Sequence, residues 1–196
     1  MTRPSLATRS LAPSLLAAAL LLPGCGAGVA AGLDTSPAQP TVAVNERLEI
    51  AFRSEDALRS EPEWELQELH GGGLLSTRGH AVTYVAPSAA GTYHLVVRAV
   101  RQDGSPARLV QTVRVMPVAR LEPAGASVRP GGTVAFAARI KGLPRGTVAW
   151  SVEDADGGAV SPEGVYTAPG RAGAFRVIAT STEDPSVVLA ATVTVN

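Results

Sequence analysis

An internal repeat is the feature that most constrains how this 196-residue chain can fold. Apolar and turn-forming residues of 41–117 recur in 118–196 at offsets of 80 to 86 residues. The matched pairs are Val44–Val128, Ile50–Val134, Phe52–Phe136, Trp64–Trp150, Tyr84–Tyr166, Ala86–Ala168, Pro87–Pro169, Gly91–Gly173, Tyr93–Phe175, Leu95–Val177, Asp103–Asp184, Val113–Val193 and Val115–Val195. The offset changes only between matched segments, so insertions fall in loops, as two copies of one fold require. We predict two domains, 41–117 and 118–196.

Hydrophobic periodicity predicts β-strands in both copies. Apolar residues alternate with polar ones over 42–52 and again over 93–99, and a period of two is typical of half-buried strands. Asp103-Gly104 is a strong hairpin-turn signal between two such runs. About seven short strands in each ~80-residue unit favour an all-β fold of two tandem Greek-key β-sandwiches. The chain has a single cysteine, so each sandwich must be held by its apolar core and not by a disulfide.

The few large aromatic residues are predicted to be core residues. Those with this structural role are Trp64, Tyr84, Tyr93, Trp150, Tyr166 and Phe175. The two tryptophans are expected to fill the space between sheets, because each large aromatic side chain buries roughly 150–250 Å². Tyr84 and Tyr166 each precede Ala-Pro, which ends a strand because proline lacks an N–H group. Their hydroxyl groups are expected to bond to backbone at a corner of each sandwich.

Residues 1–24 have the pattern of a secretory signal peptide. Arg3 and Arg9 precede the apolar run Leu11–Leu22, and small residues follow it. That run is shorter than the ~20 residues that a membrane-spanning helix needs. Residues 25–40 are small or polar and show no period, so we predict a flexible tether with an r.m.s. span of roughly 20 Å.

The end of this segment resembles the lipobox of bacterial lipoproteins. The residues that carry the resemblance are Leu22-Pro23-Gly24-Cys25. It implies cleavage between Gly24 and Cys25 and a diacylglyceryl thioether on Cys25, whose fatty acyl chains, palmitate among them, anchor the protein in a membrane. Gly26 after the cysteine implies sorting to the outer membrane, where the cell has one.

The second copy resembles a bacterial Ig-like domain of the BIG2 type. The resemblance rests on Trp150, on Gly164-Val165-Tyr166-Thr167-Ala168-Pro169, on Gly173 and on the segment 175–180. It covers 120–196 well and 41–117 less closely. It implies Ig-like sandwiches of the kind found in bacterial surface proteins and adhesins, and it carries no catalytic or ligand-binding residue.

Two groups of residues are candidate metal ligands. His70, His80 and His94 all lie in the first copy; His70 and His80 flank a glycine-rich loop, but solvated histidines are favoured over a zinc site. Asp154 and Asp156 precede Gly157 as in a calcium loop, yet Gly158 and Ala159 follow where an EF-hand needs further ligands. A hairpin turn is favoured there, with calcium left open, and no metal is predicted.

The remaining residues predict neither catalytic activity nor nucleic-acid binding. The chain has no hydrolase, metalloprotease or phosphate-loop motif, so we predict a non-enzyme with no cofactor. Arg3 and Arg9 are the only charged residues before Cys25, which leaves 15 basic and 17 acidic residues in the rest. This nearly neutral charge argues against nucleic-acid binding, which requires clustered basic residues. The acidic residues Glu55, Asp56, Glu61, Glu63, Glu65 and Glu68 are interpreted as a solvated loop and strand face.

Two functions remain open. The first is a lipid-anchored envelope protein whose domains serve as a surface adhesion, ligand-binding or spacer module for a protein or glycan. Its binding loops would be 53–63 and 141–147, beside the turns 102–105 and 183–186, because such connections cluster at the ends of Ig-like sandwiches. The alternative is a periplasm-facing scaffold or accessory subunit that adds an edge strand to a partner's sheet. The face of the membrane, the ligand and the oligomeric state are not predicted.

Overall fold

The computed structural model describes residues 32–196, and every regular element in that range is a β-strand. The first eight strands are β1 (Leu33–Ser36), β2 (Thr41–Ala43), β3 (Arg47–Ser54), β4 (Glu63–Leu66), β5 (Gly73–Leu74), β6 (Ala81–Val85), β7 (Gly91–Val100) and β8 (Pro106–Met116). The other nine are β9 (Val118–Glu122), β10 (Gly125–Val128), β11 (Thr133–Ala135), β12 (Ala137–Lys141), β13 (Val148–Val152), β14 (Ala159–Val160), β15 (Val165–Thr167), β16 (Gly173–Ser181) and β17 (Val188–Val195). The predicted all-β fold is confirmed.

The strands of each half form two layers in the same order. In the first half the sheets are β1-β3-β6-β5 and β2-β8-β7-β4. In the second half β10-β17-β16-β13 matches the latter sheet, while the former is split into β12-β9 and β11-β15-β14. The split falls at Phe136, between β11 and β12. Two mainly antiparallel sheets that pack face to face around a core are the arrangement of an Ig-like sandwich. The Ig-like prediction is therefore confirmed.

Each sandwich has its own buried core. In the first, the largest fully buried side chains are Tyr84, Ile50 and Leu95, and in the second Tyr166 and Val177. Most of the remaining core consists of valine and alanine on alternate positions of the long strands. Branched side chains of this kind suit a pleated, half-buried surface, which explains why eight aromatic residues suffice for two cores.

The predicted tether is wrong over the part that the structure describes. Leu33–Ser36 forms β1, which pairs antiparallel with β3, and Leu33 is 2% exposed. Leu33 and Thr35 face the core while Asp34 and Ser36 face solvent, but four residues are too few to display a period against Gly, Pro and Ser neighbours. The first sandwich therefore begins before residue 41, with its first strand starting at Leu33. Residues 1–31, with Gly24 and Cys25, lie outside the described residues.

The register of the repeat also differs from the prediction by two residues in two places, at Val128 and at Val134. Leu48 lies opposite Tyr84 and Val134 lies opposite Tyr166, so Val134 is the counterpart of Leu48 and not of Ile50. In the same way Val128 is the counterpart of Val42, because these two residues lie opposite Val195 and Val115. A shift of two keeps every side chain on its original face, so the hydrophobic pattern cannot detect it.

The two sandwiches meet in a direct contact. The Ala90 N–H group, in the loop before β7, donates to the Gly142 carbonyl at 2.8 Å. Gly142 follows β12, and a Cβ atom placed on it would lie 2.8 Å from Val44 Cγ1 and 3.3 Å from Ala90 Cβ. We call this contact between Val44, Ala90, Pro117 and Gly142 the joint. It leaves no free linker between β8 and β9, which are separated by Pro117 alone.

Candidate functional site

The first pair of predicted binding loops is brought together as expected. Arg101 Nε donates to Asp56 Oδ2 at 3.0 Å, and the Gln102 N–H group donates to the Ala57 carbonyl at 3.1 Å. A recess of about 220 Å³ lies between the two loops. The Glu55 N–H group also donates to the Gly32 carbonyl at 2.8 Å. Gly32 therefore lies beside this outer loop cluster, which we define as residues 53–63 with 101–105.

The second pair of predicted loops also meets, but at the joint. The Arg145 N–H group donates to Glu183 Oε1 at 2.9 Å, and the hydroxyl groups of Thr147 and Thr182 lie 2.6 Å apart. Gly142, in the same loop, rests on the first sandwich. The prediction that residues 141–147 form an exposed binding loop is therefore wrong in part, because a segment of that loop is occupied by the neighbouring sandwich.

The acidic segment is a paired strand face. Three of its carboxylates form ion pairs with arginines on other strands or loops, Asp56–Arg101, Glu63–Arg78 and Glu65–Arg98, and a fourth, Glu68, is hydrogen-bonded to His94. The Glu68 carboxylate accepts the His94 backbone N–H at 2.9 Å and lies 2.6 Å from its ring Nδ1. Burial opposes ionisation of Glu68, but these hydrogen bonds outweigh it and hold its pKa below the usual value. The face is consistent with a structural role.

A buried tyrosine hydroxyl closes the same corner in each sandwich. Tyr84 donates to the Gly71 carbonyl and Tyr166 to the Gly157 carbonyl, both at 2.5 Å, which confirms the predicted bond to backbone. Burial raises the pKa of both hydroxyls. The next residue in each loop, Gly72 or Gly158, has a φ of 103° or 92°, and a Cβ there would lie 2.2 Å from a carbonyl oxygen. Only glycine fits this close approach.

The other predicted aromatic residues differ in burial. Trp64 is 3% exposed, packs edge-on against Phe52 at 6.4 Å and donates from Nε1 to the Gly79 carbonyl at 2.9 Å. Trp150 and Tyr93 are only partly buried. Phe175 is 2% exposed and carries the Arg171 guanidinium 4.9 Å above its ring. That cation–π contact was not predicted, since nothing in the sequence places Arg171 over a residue four positions away.

The residues weighed as metal ligands do not converge. His70 and His80 are exposed, and so are Asp154 and Asp156. Within residues 32–196 no group of three or more histidine, cysteine or acidic side chains could hold a metal ion. The Asp154 carbonyl accepts the Gly157 N–H at 3.0 Å, which forms a turn. The prediction of a hairpin is wrong there, because β13 and β14 belong to different sheets and the turn connects the two layers.

A groove between β1 and β8 was missed by the sequence reasoning. It has a volume of about 560 Å³ and is lined by both strands and by the crossing segment 38–41. At its base the Thr35 hydroxyl hydrogen-bonds to the Gln111 side chain, and Gln111 Nε2 donates to the carbonyls of Thr112 at 2.8 Å and Ala38 at 3.3 Å. Both side chains are buried. The register gives them Leu121 and Ala191 as counterparts, so a strand-by-strand comparison of the repeats could have found them.

Among residues 32–196 no helix is long and apolar enough to cross a membrane. No protein-family model matches the sequence, and a comparison with curated proteins also finds no match.

Several solved structures have a similar arrangement of strands. The fibronectin(III)-like modules of Clostridium thermocellum CbhA align over 84% of this chain and 94% of theirs, with 18% identity and a TM-score of 0.32. The insect immune protein hemolin aligns over 81% of this chain and 45% of its own, with 16% identity and a TM-score of 0.41. A 282-residue C-terminal fragment of intimin, solved in complex with the intimin-binding domain of its translocated receptor, aligns over 83% and 62%, with 13% identity and a TM-score of 0.41. With TM-scores below 0.5, these likenesses carry no argument about function.

Proposed function

We propose that this protein is a non-catalytic, lipid-anchored module of the cell envelope, in which two Ig-like sandwiches form a short spacer. The joint carries this proposal. The hydrogen bond between Ala90 and Gly142 and the packing of Gly142 on Val44 hold the second sandwich on the end of the first. A pair of sandwiches joined without a linker keeps its far end at a fixed distance from the attachment point.

The position of Gly32, the first described residue, supports a spacer over capture by loop tips. β3 runs from Arg47, close to the joint, to Ser54 in the outer loop cluster, roughly 26 Å at the rise of a strand. Gly32 lies at that outer end. Gly32 is only seven positions after Cys25, at most about 25 Å of extended chain. With an acyl anchor at Cys25, the outer loop cluster lies next to the membrane and the 141–147 loop lies in the joint.

The anchor is tested by replacing the single cysteine. Cys25→Ala is expected to remove the protein from the detergent phase of a phase-separation assay and to abolish the lipidated N-terminal peptide seen by mass spectrometry. Gly26→Asp is the matched variant, because it keeps acylation and changes only the sorting that the lipoprotein resemblance implies. A Cys25→Ala protein that stays in the detergent phase would contradict the anchor.

The spacer is tested separately from the anchor. Cys25→Ala leaves no other cysteine, so spin labels on Asp103→Cys and Arg171→Cys report one distance between the outer loop cluster and a loop of the second sandwich. We expect a single narrow distance distribution. A broad distribution would mean that the sandwiches swing freely and would rule out a spacer of fixed length.

The periplasm-facing scaffold is the second candidate, and the groove beside β8 favours it. Protease treatment of intact cells decides between the two orientations. Digestion of both sandwiches would place them outside the cell, whereas protection until lysis would place them in the periplasm.

A further inference from the structure

We propose that the unpaired edge of β8, from Arg108 to Thr112, receives an extended, acid-bearing strand of another protein. The groove between β1 and β8 would hold the side chains of that strand. This inference does not depend on the lipid anchor, because every residue that carries it belongs to the folded first sandwich.

The backbone of β8 has free hydrogen-bonding groups on one side. The β7–β8 register ends with Val100 opposite Pro106, and one position further on the Arg101 N–H group donates to the Ser105 carbonyl at 2.9 Å. In an antiparallel pair, bonded and non-bonded positions alternate. Leu109 and Gln111 therefore bond to β7, while the N–H and carbonyl groups of Arg108 and Val110 point away from it.

The neighbouring strand covers only the end of this edge. β2 pairs with β8 over Arg114–Met116, and the Arg114 N–H donates to the Pro40 carbonyl at 2.9 Å. The Thr112 carbonyl is taken by the Gln111 side chain. On the side away from β7, the stretch before Thr112 pairs with no strand among residues 32–196. It is an open edge on which main-chain bonds of a partner can form.

The groove beside this edge suits the alternate side chains of a strand. Leu33 and Leu109 line it, and the buried Thr35–Gln111 pair closes its base. Its volume of about 560 Å³ lies within the range of roughly 300–1,000 Å³ of ordinary ligand sites. An extended segment that bonds to Arg108 and Val110 would direct every second side chain into this groove, because successive side chains of a strand point to opposite faces.

The positive charge of β8 favours a partner strand that carries acidic residues. β8 contains Arg108 and Arg114 and no acidic residue, and Arg108 lies opposite Arg98 in the register. Arg98 is paired with Glu65, whereas Arg108 is in no ion pair among the described residues. A second copy of β8 on the same edge would bring four arginines together, with only Asp34 of each copy as a carboxylate lining the groove, and like charges that face each other are destabilising. A strand with glutamate or aspartate on its outward face is complementary.

The test uses two synthetic peptides and the purified full-length protein. One peptide is a capped nine-residue strand of alternating valine, threonine and glutamate, and the other has lysine in place of each glutamate. We expect the acidic peptide to slow hydrogen exchange at the Arg108 and Val110 amides. We expect the affinity of the lysine peptide to be lower by a factor of up to about five, since an opposed pair of charges contributes up to roughly 1 kcal/mol.

Three variants make the test specific. Arg108→Glu is expected to reverse the preference, so that the lysine peptide binds more tightly. Arg129→Glu, an exposed arginine in the second sandwich, is the matched control and is expected to leave both affinities unchanged. Val110→Pro removes one edge-facing N–H group and no bond to β7, and is expected to weaken both peptides; Arg108→Glu remains decisive if that variant fails to fold.

Three results would overturn the proposal. The first is slow exchange at Arg108 and Val110 without peptide, which would mean that the edge is already occupied. The second is equal binding of both peptides or binding of neither. The third is protection of the edge that appears with rising protein concentration alone, which would make a second copy the occupant.

Discussion

At the scale of single residues, Tyr84 and Tyr166 perform the same task in the two sandwiches. Each is fully buried, and each donates its hydroxyl proton to a loop carbonyl thirteen or nine residues earlier. Without the hydroxyl group, that carbonyl remains buried and loses its partner. The cost of such a loss is larger than the net gain from making the bond.

We therefore expect Tyr84→Phe and Tyr166→Phe each to lower the free energy of unfolding by about 1–2 kcal/mol. The measurement is urea denaturation followed by tryptophan fluorescence, since each sandwich has one tryptophan. Tyr93→Phe is the control, because the Tyr93 hydroxyl donates to the Ala89 carbonyl in an exposed position. An effect of Tyr93→Phe as large as that of the other two would show that burial is not the cause.

The pairing of Glu68 with His94 predicts a pH-dependent contribution to stability. The pKa of Glu68 is held below its ordinary value of 4.5, so the pairing stabilises the fold fully above pH 4.5 and loses its effect as the pH falls through the lower value of the folded state. Glu68→Gln is expected to cost about 0.5–1 kcal/mol at neutral pH and to match the wild type at low pH. The check is denaturation of both proteins from pH 7 to pH 3.

Glu61→Gln is the matched control for that series, because Glu61 is exposed and in no ion pair among residues 32–196. It should not change stability at any pH in the range. A difference for Glu68→Gln that persists at pH 3 would show that packing, and not ionisation, is responsible.

The sequence identifies residues such as the tyrosines more easily than pairs such as Thr35 and Gln111. A tyrosine before Ala-Pro has a local signature that appears twice in the chain. The buried Thr35–Gln111 bond joins residues 76 positions apart, and no local pattern records it. Only the contrast with the apolar Leu121 and Ala191 gives a signal, and that contrast depends on the register.

At the scale of elements, β1 shows why a short strand can be taken for a tether. Its four residues, Leu-Asp-Thr-Ser, lie among glycines and prolines and do not read as a strand by themselves. The second sandwich has the corresponding strand, β9, which is one residue longer and contains three apolar residues. Applying the repeat backwards from β9 would have predicted β1, but the 84-residue offset in this region places the match two residues away.

We expect Leu33→Ala to destabilise the first sandwich by roughly 2–3 kcal/mol, because a leucine deleted from a core leaves a cavity. Leu33 is 2% exposed, whereas Leu69 is 92% exposed, so Leu69→Ala serves as the control and should change stability by less than about 0.5 kcal/mol. The measurement is thermal and urea unfolding of both variants. No effect of Leu33→Ala would restore the tether interpretation of this segment.

At the scale of the whole molecule, the joint decides which loops remain available. The hydrophobic pattern predicts two sandwiches and the adjacency of their loops, because both follow from one fold repeated twice. It cannot predict that Gly142 docks on Val44, because that contact depends on the relative rotation of two separate bodies. The only local feature that marks this contact is Gly142 itself, because its φ of 99° is readily adopted only by a residue without a side chain.

Gly142→Val is expected to open the joint. Its Cβ would lie 2.8 Å from Val44 Cγ1 and 3.2 Å from Pro117 Cα, and we expect the second sandwich to move away to relieve both contacts. Spin-label distances between Asp103→Cys and Arg171→Cys in a Cys25→Ala background should become broad. Gly170→Val is the control, because nothing lies within 4 Å of a Cβ at Gly170, and it should leave the distribution narrow.

The parallel pairing of β2 with β8, and of β10 with β17, gives the molecule a mechanical property. The chain enters each sandwich through β1 or β9, continues into β2 or β10, and leaves from the end of β8 or β17. A force that pulls the two ends of the chain apart therefore acts along the strands and shears these hydrogen bonds. They must break together and not one after another, so each sandwich should resist tension and unfold abruptly under load.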